Sequence, residues 1–157
     1  KINIPAEILT KPGKLTELEM MIIRTHPQAG YDILKAVEFP WPVAEAVLQH
    51  HERTDGSGYP QGLSGQATLP EARILGVADF VEGMASHRPY RPAHGVDRAL
   101  LELMKQRGVH FDPAAVDACV SVFGEDGFEF QSAQNATPWT EDASAERAER
   151  ERPCRTV

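Results

Sequence analysis

The chain is poor in cysteine, in aromatic residues and in long apolar runs, and each shortage removes a class of protein. Two cysteines among 157 residues, Cys119 in an apolar segment and Cys154 in a polar one, cannot form a disulfide framework. A reducing compartment, the cytoplasm, suits them best. The most apolar stretch, Ile74 to Val81, is interrupted by Asp79 and is far too short to cross a bilayer, and no charged-then-apolar leader opens the chain. Positive charge is not in excess either: 16 Lys and Arg against 23 Asp and Glu leave a net charge of −7. That balance argues against binding nucleic acid or a membrane surface by bulk electrostatics, so an anionic ligand has to be met by metal ions or by a few placed cations.

Strand-like alternation is also missing. The length suits one domain, which at this size buries about 68 to 70% of its unfolded surface, and its periodicity is helical throughout, so the expected class is all-α. Thr16 and Glu19 have capping-box spacing ahead of Leu18, Met21 and Ile22, which form an apolar face. His26-Pro27 interrupts that segment, and Pro27 can open a second helix through Tyr31, Ile33, Leu34 and Val37. Val43 to His51 reads as a third helix, Pro70 to about Ser86 as a fourth, and Val96 to Gln106 and Pro113 to Phe123 as two more. Between Glu52 and Leu69 lies a long irregular segment of Gly, Pro and polar residues, a length that in ordered proteins usually carries function. After residue 130 the composition turns polar and then alternates Glu with Arg, so 1–130 is expected to be the domain and 131–157 a disordered tail.

The most informative run is His50-His51-Glu52-Arg53-Thr54-Asp55-Gly56-Ser57-Gly58-Tyr59-Pro60. Successive residues on a helix point about 100° apart, so adjacent imidazoles cannot share one apolar stripe, yet they can reach into one cavity from neighbouring directions. The Asp-Gly-Ser-Gly that follows is expected to supply positive-φ turns, with Tyr-Pro closing the loop. Asp79 stands in an otherwise apolar helix, where a carboxylate must be protonated, paired, at the core edge or bound to metal. His26, at a Pro junction, reads either as a hydrogen-bonded structural histidine or as a ligand. Together His26, His50, His51 and Asp79 are an imidazole-plus-carboxylate set that iron and manganese accept, with zinc also compatible. Four ligands cannot saturate two octahedral ions. His87, His94 and His110 are isolated and read as structural or surface residues. Lys1, Arg88 and Arg91 are the cations suited to phosphate, the two arginines by forked donors and the lysine as a point charge.

On these motifs the sequence resembles the HD-GYP family of metal-dependent phosphohydrolases. The resemblance is carried by His50-His51-Glu52 with Gly58-Tyr59-Pro60, by Val77-Ala78-Asp79, by Arg88-Pro89-Tyr90-Arg91, by Thr25-His26-Pro27 and by the opening Lys1-Ile2-Asn3-Ile4-Pro5. It implies an HD-domain-like helical bundle and a phosphodiesterase acting on the bacterial second messenger cyclic di-GMP through two or three divalent metal ions, commonly iron or manganese. It also implies that His26, His50, His51 and Asp79 are metal ligands, that Lys1 is a catalytic residue, and that Lys1, Tyr59, Arg88 and Arg91 bind substrate. The Gly58-Tyr59-Pro60 loop would border the substrate and contact diguanylate cyclase (GGDEF) domains, and a homodimer is compatible with all of this.

The His-Asp pair that names the family would precede Lys1 by a few residues, so the bundle is expected to be N-terminally incomplete, with a longer protein and a sensory domain upstream. Two rival readings stand beside the enzyme: a degenerate scaffold that recruits partners through the Tyr59 loop, and an HD-type hydrolase of another nucleotide phosphoester. Because residues 131–157 offer no apolar face, deleting them should shift the melting temperature by less than about 2 °C. A drop well beyond that in a calorimetric scan would mean the segment docks on the domain.

Overall fold

The computed structural model describes residues 1–86 and 95–124. His87, Arg88, Arg91 and His94, and the segment read as a tail, lie outside the described residues. The described chain is helical with no strand, as the periodicity predicts: α1 (Ala6–Leu9), α2 (Glu17–Ile23), α3 (His26–Leu34), α4 (Val43–Gln49), α5 (Pro70–Ala85), α6 (Val96–Lys105) and α7 (Pro113–Gly124). One short 3₁₀ turn, Gly65–Ala67, interrupts the long loop.

The start signals act as their chemistry requires. At α2 the Thr16 hydroxyl accepts from Glu19 N (3.3 Å) while the Glu19 carboxylate accepts from Thr16 N (2.7 Å), the reciprocal capping box expected from the spacing. Lys11 also donates to that carboxylate at 2.7 Å, and the Lys11 hydrogen bond is the main reason that Glu19 is held down at about 2. Prolines occupy the first turns of α3 and α5, where a missing N–H costs nothing. Asp112 Oδ1 accepts from Ala114 N and Ala115 N at 2.9 and 3.1 Å and so secures the start of α7.

Two expectations need correction. Helix α4 ends at Gln49, two residues before His51, so His50 caps the helix and His51 begins the loop. The Leu18-Met21 face of α2 is exposed: amphipathic spacing says that a face is apolar, not what covers it.

The core lies at the C-terminal end. Val77 and Val81 of α5, Ala99 and Leu103 of α6, Phe111 and Val116 of α7 are buried together, with Phe80, Met84 and Cys119 packed around them. Burial pushes the Cys119 thiol up, so it stays protonated and behaves as a small apolar side chain. From this core the helices step outward in order, α5 on α4 and α4 on α3. Both outer contacts depend on glycine. A Cβ at Gly30 would sit 2.8 Å from Val47 Cγ1, and one at Gly76 would sit 2.6 Å from the His50 carbonyl oxygen. Thus α4 lies between α3 and α5, seating the Val47 side chain against the α3 backbone and the His50 carbonyl against the α5 backbone, and its C-terminal end is delivered to both neighbours.

The 52–69 loop leaves that end as an ordered structure. Glu52 is buried and its two carboxylate oxygens accept from Gln61 N (2.7 Å) and Leu63 N (2.9 Å), drawing the far arm of the loop back onto its root. Gln49 Oε1 accepts from Leu69 N at 2.8 Å, which joins the end of α4 to the start of α5. Arg53 lays its guanidinium over Phe111, 4.6 Å from the ring centroid, and donates to the Glu52 carbonyl. Of the expected positive-φ turns, Gly56 is one (φ 81°), but Gly58 is not; there a Cβ would collide with the backbone of Glu52 and Arg53.

Two outcomes follow from these contacts. Gly76→Ala should destabilise the domain by about 1–3 kcal/mol, because the added methyl meets an immovable carbonyl; a neutral result in denaturant titration would show that α4 and α5 can separate freely. Glu52→Ala removes the acceptor of two backbone N–H groups, each bond to a charged group being worth about 1.5–3 kcal/mol, so hydrogen exchange at Gln61 and Leu63 should accelerate; unchanged protection would mean that water replaces the carboxylate without loss.

Candidate metal centre

Three histidines from two places in the sequence meet where α2, α3 and α4 come together. His26 opens α3, directly after α2 ends at Ile23, and its Nδ1 lies 2.7 Å from the Ile23 carbonyl oxygen. His50 caps α4, with Nδ1 2.6 Å from the Val47 carbonyl oxygen. A helix C-terminus leaves its last carbonyls without intrahelical donors, and here an imidazole supplies the missing hydrogen bond in each case. The consequence is chemical: a carbonyl can only accept, so Nδ1 carries the proton and Nε2 keeps its lone pair.

Those lone pairs converge. His26 Nε2 is 3.4 Å from His50 Nε2 and 3.2 Å from His51 Nε2, and the three residues each offer a nitrogen within 4.8 Å of the others. The His50 and His51 rings are tilted 38° with centroids 4.0 Å apart, so consecutive imidazoles do enter one space from neighbouring directions. Two lone pairs facing at 3.4 Å repel unless a cation lies between them. A proton is disfavoured: burial pushes His26 and His50 below the usual histidine range, and burial together with the charges of His50 and His26 pushes His51 down to about 2. Donors bound to a single ion at about 2.0–2.1 Å stand about 3.0–3.4 Å apart, so the donor set fits a metal ion.

The remaining residues singled out by the sequence fall into place unevenly. Asp79 is at the core edge, its side chain 43% exposed, with Oδ2 4.0 Å from His51 Nδ1. It therefore faces the far side of His51 and stands outside the three-nitrogen cluster. Lys1 is exposed, but the segment after it is anchored by buried Ile4, and its positive charge lowers all three histidines. The Tyr59 ring stacks on His51 at 4.8 Å and 29°, its N–H donates to the His51 carbonyl at 3.2 Å, and Pro60 beside it is exposed. Burial raises the Tyr59 phenol, which stays protonated. Arg88 and Arg91 lie outside the described residues. His110 is a surface histidine, as expected, 3.4 Å from Asp55.

Sequence reasoning missed Glu52 and Arg53 as the supports of the loop and Arg24 as a neighbour of the site. Arg24 places its guanidinium 5.3 Å from the centroid of the Tyr59 ring. A buried acid directly after a ligand pair was a usable signal for the first. Nothing in the sequence brings Arg24 to Tyr59, since 35 positions separate them.

Comparison with known proteins agrees with this geometry. A family model described as HD domain matches residues 1–115. The cyclic di-GMP phosphodiesterase response regulator RpfG of Xanthomonas campestris is 51% identical over 120 residues, covering 75% of this chain and 32% of that protein. A cyclic di-GMP phosphodiesterase of Vibrio cholerae is 38% identical over 129 residues, covering 78% of this chain and 26% of that protein. A 3′3′-cGAMP-specific phosphodiesterase of the same organism is 35% identical, over 80% of this chain and 24% of that protein. The chain thus spans about a quarter to a third of the length of these relatives. No described helix is long and apolar enough to cross a membrane. With the HD-domain match over most of its length, and the His-His-Glu and Gly-Tyr-Pro elements in order, the chain belongs to the metal-dependent HD-domain family, in its HD-GYP branch.

Proposed function

We propose that this chain is the metal-holding part of a phosphodiesterase that hydrolyses cyclic di-GMP to linear pGpG, and onward to GMP, in bacterial signal transduction in the cytoplasm. The observation that carries the reading is the convergence of His26, His50 and His51, with neutral imidazoles and nitrogen separations of 3.2 and 3.4 Å. The names of the relatives supply the substrate. His26, His50, His51 and Asp79 would hold the metal, iron or manganese in preference to zinc, with a second or third ion drawing on further donors. Bound there, divalent ions supply Lewis-acid stabilisation of phosphoryl charge and a water acidic enough to attack at neutral pH.

The chain's own groups do the rest. The carbonyls of Ile23 and Val47 hold the Nδ1 protons and so keep the ligand nitrogens bare. Asp79, with Oδ2 4.0 Å from His51 Nδ1 and outside the three-nitrogen cluster, would join the ligand set as a donor to a further ion. Lys1, with Arg88 and Arg91, neutralises charge on the phosphoryl oxygens. Stacked Tyr59 shields one face of His51 from water. Exposed Pro60 beside it is the part of the Gly58-Tyr59-Pro60 loop that a diguanylate cyclase domain, or a second copy of the chain, would reach.

Metal analysis and chromatography of the products test this together. A full-length protein containing this chain, treated with iron or manganese, should bind metal and convert cyclic di-GMP to pGpG, whereas the 157-residue chain alone, with only four candidate ligands, should bind metal weakly and convert the substrate negligibly. His50→Ala and His51→Ala should lose the metal while keeping the far-ultraviolet circular dichroism of the parent, and activity should fall by about 10²-fold or more. Full metal content in both variants would remove the ligand assignment. A metal-replete full-length protein that leaves cyclic di-GMP intact would instead favour the scaffold reading.

A further inference from the structure

Lined by Pro60, the neighbour of Tyr59, is an open cleft of about 630 Å³ whose other walls include Asn3, Arg24, Gln28, Asp32 and Ile33. Its volume is in the range of small-molecule sites. Arg24 is the group in it that lacks an explanation. Its guanidinium makes no ion pair and donates no hydrogen bond among the described residues, and its one recorded contact is the face of the Tyr59 ring at 5.3 Å. Tyr59 in turn stacks on His51 at 4.8 Å. Two ring contacts therefore connect the metal-binding nitrogens to a planar cation whose N–H groups are uncommitted among the described residues.

The geometry points to this cleft as the seat of a guanine base of the substrate, with Arg24 reading its O6 and N7. The inference rests on the cyclic di-GMP reading above and adds to it the group that selects the base. An edge-on guanidinium presents two parallel donors that match the two acceptors on that side of guanine; adenine carries a donor in place of O6 and meets the same fork with one clash. The other walls complement the rest of a purine. Ile33 and Pro60 give apolar surface for a ring face, while Asn3 offers an amide with both donors and acceptor and Gln28, whose amide donates to the Asp32 carboxylate, keeps its carbonyl as an acceptor. Asp32, whose carboxylate already accepts from Lys35 at 2.6 Å, adds an acceptor for the N–H groups of guanine. The same carboxylate makes the cleft a poor seat for a phosphate. Arg24 is thus a specificity residue that touches no metal.

Calorimetric titration of the manganese-treated full-length protein with the bisphosphorothioate analogues of cyclic di-GMP and cyclic di-AMP, which resist cleavage, tests this. Arg24→Ala should weaken the guanine analogue about 5- to 150-fold, the range of one bidentate base contact, and leave the adenine analogue and the metal content unchanged. Arg24→Lys keeps the charge but not the fork, and should behave like Arg24→Ala. Gln28→Ala should reduce preference for guanine in the same direction. Equal losses for both analogues, full rescue by lysine, unchanged affinity in Arg24→Ala, or no binding by the parent protein would each overturn the assignment. Arg24-dependent guanine binding in a full-length protein that cleaves nothing would leave it standing and remove the hydrolase reading alone.

Discussion

Helix α4 is clamped between two neighbours at distances that only glycine allows, and the site depends on that clamp. At Gly30 and Gly76 there is no room for a methyl group: α3 receives the Val47 side chain of α4 against its backbone, and α5 receives the His50 carbonyl at the end of α4. The buried cluster of α5, α6 and α7 supplies the stability against which this close approach is held. Cohesion and chemistry are therefore at opposite ends of the domain, joined by α5, which carries Val77 and Val81 inward and Asp79 outward.

Electrostatics at the cluster follow from helix ends. Each of two helices finishes with a carbonyl that an imidazole N–H satisfies, so structural need and ligand readiness are met by the same hydrogen bond. Burial then keeps the rings neutral. The result is two lone pairs, on His26 and His50, held facing each other by the two hydrogen bonds at the opposite ring nitrogens. Such an arrangement stores unfavourable interaction that a divalent cation relieves, which is how functional sites commonly depart from local stability rules.

The loop after the histidines is organised by a carboxylate. Glu52 uses both oxygens on backbone N–H groups nine and eleven residues ahead, and Arg53 ties the root of the loop to Phe111 in the core. Tyr59 is delivered to His51 by that folding back, and Arg24 reaches Tyr59 from α2. The His-His-Glu element thus divides its labour between two imidazoles aimed at the cluster and an acid aimed at the loop.

Much of this was legible in the residues themselves. Helical periodicity, the Thr16–Glu19 box and the prolines ahead of α3 and α5 marked elements and starts within a residue or two, because caps and periodicity are local interactions. Adjacent histidines and His26 at a Pro junction marked the three rings that the fold brings together, because polar groups in such settings need a partner, while the lone carboxylate of the apolar helix sits at the core edge beside His51. The end of α4, the exposure of the α2 face, the steric reason for Gly58, the duty of Glu52 and the approach of Arg24 to Tyr59 were decided by tertiary structure. Each depends on which surfaces meet across 5 to 35 residues, and that is set by packing distance and by the pairing of buried polar groups, quantities that no local pattern encodes.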